Sequence, residues 1–325
     1  MNPFSSLQRW LGARLDEWSP VCAVFSLILA GLFWLRGSHI ALDNLAAFLW
    51  PSLWGSLIVA ILCSVRAKRS IFFIASAAFI SNFYLLSPWL FENQFAVKAD
   101  VSQSYPYSLK LAVANVQTEN REHARVVKWV ADFKPDILIL IEVDERWLEG
   151  VTAIESELPQ TLKDPRDNNF GIAVYSRHPL LSKTPTTFSE EGIQSLEILV
   201  NAPGGPARVL ATHALPPVSA AWAADRNRHL QRIGAWSRGV NEDLIVAGDL
   251  NVAPWSTHYL PIETGGLRNI RPRSGLLASW PTFFPAWMRV PIDHVLSRGA
   301  FVLKSARLGP DLASDHMPLE VEFVR

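Results

Sequence analysis

Ile245-Val246-Ala247-Gly248-Asp249-Leu250-Asn251 carries the first chemical signal in this chain. An apolar run ends in a glycine, a carboxylate and an amide, with the two polar side chains two positions apart. On a strand or its extended exit, residues i and i+2 point to the same side. The pair therefore sets a metal-binding or basic oxygen beside a hydrogen-bond donor, a combination suited to holding a phosphate. Gly-Asp followed by Asn is also common turn chemistry, so this stretch alone leaves both readings open.

Working outward, other apolar runs end the same way. Asn115 closes a strand predicted over 109–115, and Glu142 follows a fully apolar strand at 136–141. His213 closes the strand at 207–212. Asp293-His294 opens another after Pro291, and Asp315-His316 precedes the last, at 319–324. Further strands are expected at 170–176, 195–200, 243–247, 292–297 and 301–308. Amphipathic helices are expected at 122–133, stopped by Lys134-Pro135, and at 219–237. Strand ends on one edge of a sheet are where a scaffold gathers distant residues into one pocket. Each residue also has a plain alternative: Asn115, Asp293 and Asp315 as caps or turn formers, Glu142 paired with Arg146, His213 as a loop histidine beside Pro216-Pro217. Many strands with few helices, out of strict alternation, indicate a mixed α/β layered fold. No glycine-rich dinucleotide turn follows the first strand, and no Walker-type loop is present.

The first ninety or so residues differ in kind. Val21–Leu35, Leu45–Val65 and Ile71–Leu90 are nearly uncharged, and the longer two approach the ~20 residues that span a bilayer. Trp10, Trp18, Trp34, Trp50, Trp54 and Trp89 flank them, as expected at a water–lipid boundary. Poor cleavage signals after Leu35 favour retained helices over a signal peptide. Arg9 and Arg14 precede the first stretch, and Arg66, Lys68 and Arg69 lie between the second and third. The positive-inside rule then leaves the chain beyond Phe95 on the outer side after three crossings, the periplasm if the source is bacterial. The expected organisation is a membrane domain at 1–95 with about three transmembrane helices, a linker at 96–108 and a catalytic domain at 109–325. Residues 96–325 hold 24 basic and 26 acidic side chains, so no basic footprint for tight duplex binding is visible. Both cysteines, Cys22 and Cys63, fall in the apolar stretches. The remainder therefore has neither a disulfide framework nor a thiolate metal site.

In this order the blocks Val113-Ala114-Asn115-Val116-Gln117, Leu140-Ile141-Glu142, Phe170–Arg177, Thr212-His213, Gly248-Asp249-Leu250-Asn251, Ile292-Asp293-His294 and Ser314-Asp315-His316-Met317-Pro318 resemble the endonuclease/exonuclease/phosphatase superfamily, the DNase I-like phosphoesterases. The resemblance covers about residues 108–325. It implies an α/β four-layer sandwich, two packed mixed β-sheets flanked by helices, here preceded by transmembrane helices. It also implies hydrolysis of phosphoesters with Mg²⁺, Mn²⁺ or another divalent cation. Carried over by position, Glu142 is the principal metal ligand with Asn115 and Asp315 nearby. His316 is the catalytic histidine oriented by Asp293, Asp249 and Asn251 handle water or phosphate, and His213 contacts the phosphate or assists the leaving group. His229 and His294 match no such position and read as structural. A hard cation that prefers oxygen ligands suits this residue set, and a structural zinc site does not. The expected activity is a membrane-anchored, nuclease-like phosphodiesterase. A phospholipid or sphingolipid phosphodiesterase or phosphatase is the alternative, and a non-catalytic binding module on a membrane scaffold is the reading from another class. Trp255, Trp280, Phe283, Phe284 and Trp287 are candidates to stack bases, to enter a lipid interface, or to fill the core.

Overall fold

The computed structural model describes residues 3–66, 68–91, 104–271 and 275–325. It divides into two compact units, Met1–Trp89 with Trp255–Thr257, and Leu90–Pro254 with His258–Arg325.

The first unit holds helices α1 (Pro3–Trp34), α2 (Ile40–Ala46), α3 (Leu49–Val65) and α4 (Arg69–Phe91). Two segments, Gly12–Trp34 and Arg69–Phe91, are each 23 residues long, with mean hydropathy 1.5 and 1.6, and are long and apolar enough to cross a membrane. The stretch expected as one span over 45–65 is interrupted. Helices α2 and α3 meet at a 59° bend and qualify as a third span only when taken together. Pro51 in the first turn of α3 gives the reason: it lacks an N–H, and its ring would collide with the carbonyl four residues earlier. Helix α1 begins well before the predicted Val21, because charged but helix-favouring residues such as Arg14 and Glu17 extend it. Much of its apolar surface, including Val21, Phe25 and Ile28, is more than half exposed.

The second unit runs β1 (Ser108–Asn115), α5 (His123–Phe133), β2 (Ile137–Ile141), α6 (Glu145–Gly150), β3 (Gln160–Asp164), β4 (Ile172–Ser176), β5 (Leu180–Thr187), β6 (Gln194–Ala202), β7 (Gly205–His213), α7 (Ala220–Arg238), β8 (Asp243–Asp249), α8 (Leu260–Glu263), β9 (Arg268–Asn269), β10 (Asp293–Arg298), β11 (Val302–Leu308) and β12 (Leu319–Val324). Most of the linker expected at 96–108 lies outside the described residues, and Ser108 already pairs with Val324 in β1. Two six-stranded sheets form, ordered β11-β12-β1-β2-β4-β3 and β5-β6-β7-β8-β10-β9. Each is mixed. The first is built around the parallel pair β1–β2, connected through α5, and the second around β7–β8, connected through α7. A parallel pair needs such a crossover because a tight turn cannot reverse the chain twice.

Alternation along the strands builds the layers. Leu111 and Val113 of β1, Ile137, Ile139 and Ile141 of β2, Val209 and Ala211 of β7, and Ile245 and Ala247 of β8 belong to one buried core shared by the two sheets. The opposite parity of the first sheet, Ala112, Ala114, Leu138 and Leu140, packs with Val126, Trp129 and Val130 of α5 and Trp147 of α6. Strand β2 is apolar on both faces because both are covered. On the second sheet α7 occupies the outer face, where His229 Nε2 meets the Thr212 hydroxyl at 2.8 Å. The result is the expected four-layer α/β sandwich of two mixed sheets flanked by helices. Strands β3, β5 and β9 were not predicted. The first two lie at or beside sheet edges with few buried side chains, so their sequences lack the apolar alternation that marks a strand.

Candidate active site

The same period-two parity that builds the core also builds the site. Asn115 continues the inward row of Leu111 and Val113, His213 that of Val209 and Ala211, and Asp249 that of Ile245 and Ala247. Register aligns His213 with Asp249 across β7–β8, and Asp249 with Asp293 across β8–β10. Three strands thus present one transverse row of ionisable side chains where the apolar core ends. Glu142, one step beyond Ile141, would face the wrong way on a continued strand. Its backbone instead adopts φ +64°, and its Oε1 accepts a 2.8 Å bond from Asn115 Nδ2. Gln117 and Asn251 also have positive φ at the strand exits that carry Asn115 and Asp249, as does Ala313 on the loop that carries Asp315 into β12. Such conformations cost non-glycine residues of order 1 kcal/mol or more, and they cluster at functional sites.

Two glycines permit the close approaches. A Cβ on Gly248, at φ +149°, would lie 1.8 Å from the Thr212 carbonyl oxygen, and one on Gly171 would lie 1.8 Å from that of Val143. Gly171 lets its own carbonyl accept from the Glu142 and Val143 N–H groups, at 2.8 and 3.2 Å, fixing the turn that aims Glu142.

All eight residues singled out in the sequence come together, with Asp249 at the centre. Its Oδ2 lies 3.3 Å from Asn115 Nδ2, 3.8 Å from His213 Nε2 and 3.8 Å from His316 Nε2, while its Oδ1 accepts from the Asn251 N–H at 2.9 Å. Asp293 Oδ2 lies 2.8 Å from His316 Nδ1. Asn251 Nδ2 donates to the Ala214 carbonyl at 2.9 Å and approaches His213 Nε2 at 3.4 Å. Asp315 joins through its neighbour His316 and through its charge, which acts on Glu142. Asn115, His213, Asp249, Asp293 and His316 are buried, whereas Glu142, Asn251 and Asp315 are partly open to solvent. The expected alternative for Glu142 is not seen, since Arg146 lies near Asp144 instead.

Burial and charge separate the two histidines. Burial works to neutralise His316, but the Asp293 carboxylate and its hydrogen bond, with Asp249 and Asp315 adding, outweigh it and raise the imidazole to about 10. Burial pushes His213 down to about 3, and the nearby His316 charge adds to this. At neutral pH one ring is therefore a cation and the other is neutral. Burial, reinforced by the Asp293 charge, pushes Asp249 up to about 8. Asp293 itself is held low, because the His316 charge and hydrogen bond outweigh its burial. Glu142 is raised, mainly by burial and further by the facing Asp315 charge, against the opposing Asn115 bond.

Two groupings invite a metal. Ligand atoms of Asp249, Asp293 and His316 all lie within 4.8 Å of one another. In that set His316 Nδ1 is already engaged by Asp293, and a cation there would have to displace the proton that the two carboxylates favour on the ring. The set expected from the sequence also has donors to offer. Glu142 keeps one oxygen beyond its Asn115 bond. Asp315 keeps Oδ1 while Oδ2 accepts from Trp280 Nε1 at 3.0 Å. Asn115 Oδ1 has a second lone pair beside its 3.1 Å bond from the Gln117 N–H. Two carboxylates that repel each other and are partly open to water, with a buried amide oxygen beside them, match the donors a hard dication takes.

Four supporting residues carried no readable signal or were noticed for another reason. Ser314 Oγ donates to the Asn115 carbonyl at 2.8 Å and accepts from the His316 N–H at 3.0 Å, tying the end of β1 to the loop that carries His316. Buried Arg226 donates to the Asn251 carbonyl at 2.8 Å, and buried Arg271 to the Asp293 carbonyl. Trp280, noted only as an aromatic, holds Asp315. A buried arginine looks like a surface one in sequence. His294 bonds the Val252 carbonyl and Arg271, and His229 bonds Thr212, contacts that suit the structural roles expected of them.

Two mixed sheets flanked by helices, with acids, amides and histidines converging at the strand ends, define a DNase I-like phosphoesterase scaffold. Residues 112–316 match the sequence profile of the Endonuclease/Exonuclease/phosphatase family, and the chain belongs to that family, whose members are generally phosphoester hydrolases. Among solved structures it is similar to an endonuclease/exonuclease/phosphatase from Beutenbergia cavernae, with 21% identity and a TM-score of 0.55 over 67% of this chain and 72% of that one. It is also similar to truncated TDP2 from Caenorhabditis elegans, with 16% identity and a TM-score of 0.57 over 69% and 100%. A third is an endonuclease/exonuclease/phosphatase from Bacteroides vulgatus, with 17% identity and a TM-score of 0.56 over 67% and 99%. No curated protein matches the chain.

Proposed function

We propose that this chain is a membrane-anchored, divalent-metal-dependent phosphodiesterase, with residues 109–325 as its catalytic domain. The observation that carries the reading is the polar end of the inter-sheet core, where Asn115 and Glu142 from one sheet meet the His213, Asp249 and Asp293 row of the other. Glu142, Asp315 and Asn115 would hold the cation, Mg²⁺ or Mn²⁺. When bound, it neutralises charge on the phosphoryl oxygens and orients the reacting groups. Asp249, in its ionised form, accepts the proton of the attacking water, its raised proton affinity making it a stronger base, and Asn251 orients that water or the phosphate. His316, kept cationic by Asp293, donates a charged hydrogen bond to the pentavalent phosphorus oxygens. His213, kept neutral, contributes a hydrogen bond without a charge. Intact donors at every one of these positions favour an enzyme over a binding module.

Anchoring rests on the two 23-residue apolar helices and on the bent pair α2–α3 as a third crossing. Within the first unit, Arg66 and Lys68 from the loop after α3 pair with Asp16, near the start of the Gly12–Trp34 segment, at 2.5 and 3.1 Å, which supports reading the ends of those two segments as lying on one side. With three crossings and the N-terminus in the cytoplasm, the catalytic domain lies on the extracytoplasmic side, the periplasm of a bacterium. A reporter fused after Arg325 that is active only in the cytoplasm overturns that topology.

The catalytic reading is tested with the full chain in detergent. It should hydrolyse bis-p-nitrophenyl phosphate with Mg²⁺ or Mn²⁺ and lose the activity in EDTA. Turnover that survives EDTA, or no turnover with either metal, overturns it.

A further inference from the structure

The segment Pro281-Thr282-Phe283-Phe284-Pro285-Ala286-Trp287-Met288 has no charged residue, and Phe283 through Trp287 are all exposed. Phe283 is 74% accessible and Trp287 42%. Five consecutive exposed apolar residues are an error in a soluble surface unless something covers them. Phe283 and Phe284 pack ring to ring with centroids 4.8 Å apart. The segment is held in shape from within. Arg289 donates through Nε to the Phe284 carbonyl at 2.8 Å and through Nη2 to the Thr282 carbonyl at 3.0 Å, and a single helical turn spans Ala286–Met288. It is also fastened to the site. The Thr282 N–H donates to the Asp315 carbonyl at 2.9 Å, the Thr282 hydroxyl to the Ser314 carbonyl at 2.8 Å, and Trp280 Nε1 to the Asp315 carboxylate.

We infer that Phe283–Trp287 is a docking ridge for a lipid surface, and that it brings the site against phosphoesters lying at the headgroup level. The second half of this inference rests on the reading of the site as a phosphodiesterase. Three observations choose lipid over a nucleic acid. A polyanion is met with Lys and Arg, yet the ridge has none, and Arg289 at its end turns two donors inward to backbone carbonyls. Residues 96–325 carry slightly more acid than base, so no wider basic field compensates. Phe and Trp on an uncharged, prefixed loop are the side chains that settle at the boundary between headgroups and acyl chains. The same chain carries helices apolar enough to keep its catalytic domain within reach of a bilayer.

The test uses the full chain with Cys22→Ala and Cys63→Ala, and an environment-sensitive fluorophore on Phe283→Cys or Trp287→Cys. Lys304→Cys, on the exposed strand β11, is the reference. In vesicles of phosphatidylcholine and phosphatidylglycerol, labels at 283 and 287 should shift to the blue, lose quenching by aqueous iodide and gain quenching by lipids carrying a nitroxide near the headgroup. The label at 304 should do none of these. Iodide quenching equal to that at 304 overturns the inference. So does shielding that grows with the protein-to-lipid ratio, which would give the ridge to a second copy, or shielding produced by a single-stranded oligonucleotide in place of lipid. Wild-type hydrolysis of bis-p-nitrophenyl phosphate is measured alongside, so a failed site reading leaves the label result standing and a failed ridge leaves the site reading standing.

Discussion

The two sheets are built alike and end differently. Each has a parallel pair joined through a helix, flanked by antiparallel strands, and each sends polar side chains off the ends of that pair. In the first sheet these ends carry a buried amide, Asn115, and a carboxylate, Glu142, that is partly open to solvent. In the second they carry His213 and Asp249, aligned with Asp293 and buried. One rule, the alternation that fills the core, delivers both sets. Exposure then divides the work. Oxygen donors that keep water nearby suit a hard cation, whereas a buried acid–histidine row holds protons in fixed places because burial and mutual charge override ordinary affinities.

The sharpest test of that division compares one residue from each side. Glu142→Ala should abolish Mg²⁺-supported hydrolysis, a loss of at least about a thousandfold if the cation supplies several kcal/mol of charge stabilisation. It should also weaken Mg²⁺ binding measured by calorimetry. His316→Ala should cost about 10²–10³-fold in kcat, the usual range for losing one positioned donor to a transition-state oxyanion, with Mg²⁺ affinity nearly unchanged. If both variants lose metal affinity equally, the two ends do not have separate tasks.

Next in size is Asp293→Asn, which leaves the shape and removes the charge behind His316. His316 is raised from 6.5 in the free side chain to about 10 in the fold. The stability drawn from its protonated form is fully present below 6.5 and is lost as pH rises through about 10. The wild type should therefore stay active well into the alkaline range and become easier to melt as pH approaches 10. In the variant the alkaline limb should move towards neutrality, with activity about a hundredfold lower at pH 8. A pH–rate profile whose alkaline limb does not move would remove Asp293 as the source of the His316 charge.

Gly248→Ala tests the scaffold beneath the second row. The added Cβ falls on the Thr212 carbonyl, and φ +149° is unsuited to alanine. A backbone shift costing roughly 2–3 kcal/mol is expected. Thermal melting of the full chain reads the loss, and activity below the new midpoint should fall because Asp249 moves with its strand.

The contrast between the sheets also marks what was legible in the sequence. Asn115, His213 and Asp249 could be read because each interrupts an apolar run at a parity the core dictates. Glu142 was visible only as a strand-end acid, since its positive φ comes from the Gly171 contact made across the sheet. Two similar halves could not be read, because strand order is set by long-range pairing and leaves no repeat in the residues. Strands β3 and β5 escaped for a related reason: beside an edge, few side chains need be apolar. Arg226 and Arg271 gave no sign of burial. In the first unit, the break before Pro51 was readable in principle, but hydropathy averaged across it hid the bend.

The smallest expected effect separates holding a ligand from being one. Trp280→Phe keeps an aromatic ring near His316 but removes the indole N–H that fixes Asp315 Oδ2 at 3.0 Å. Losing one hydrogen bond to a partly exposed carboxylate is worth about 1 kcal/mol. If Asp315 serves the cation, that loss should appear as a roughly fivefold rise in the Mg²⁺ concentration needed for half-maximal rate, the equivalent of that energy, with kcat at saturating Mg²⁺ nearly intact. If Asp315 instead serves only to place its neighbour His316, the Mg²⁺ dependence will stay put and kcat will fall. Asp315 would then belong with the buried row and not with Glu142, and the boundary between the two ends of the site would have to be redrawn between residues 142 and 315.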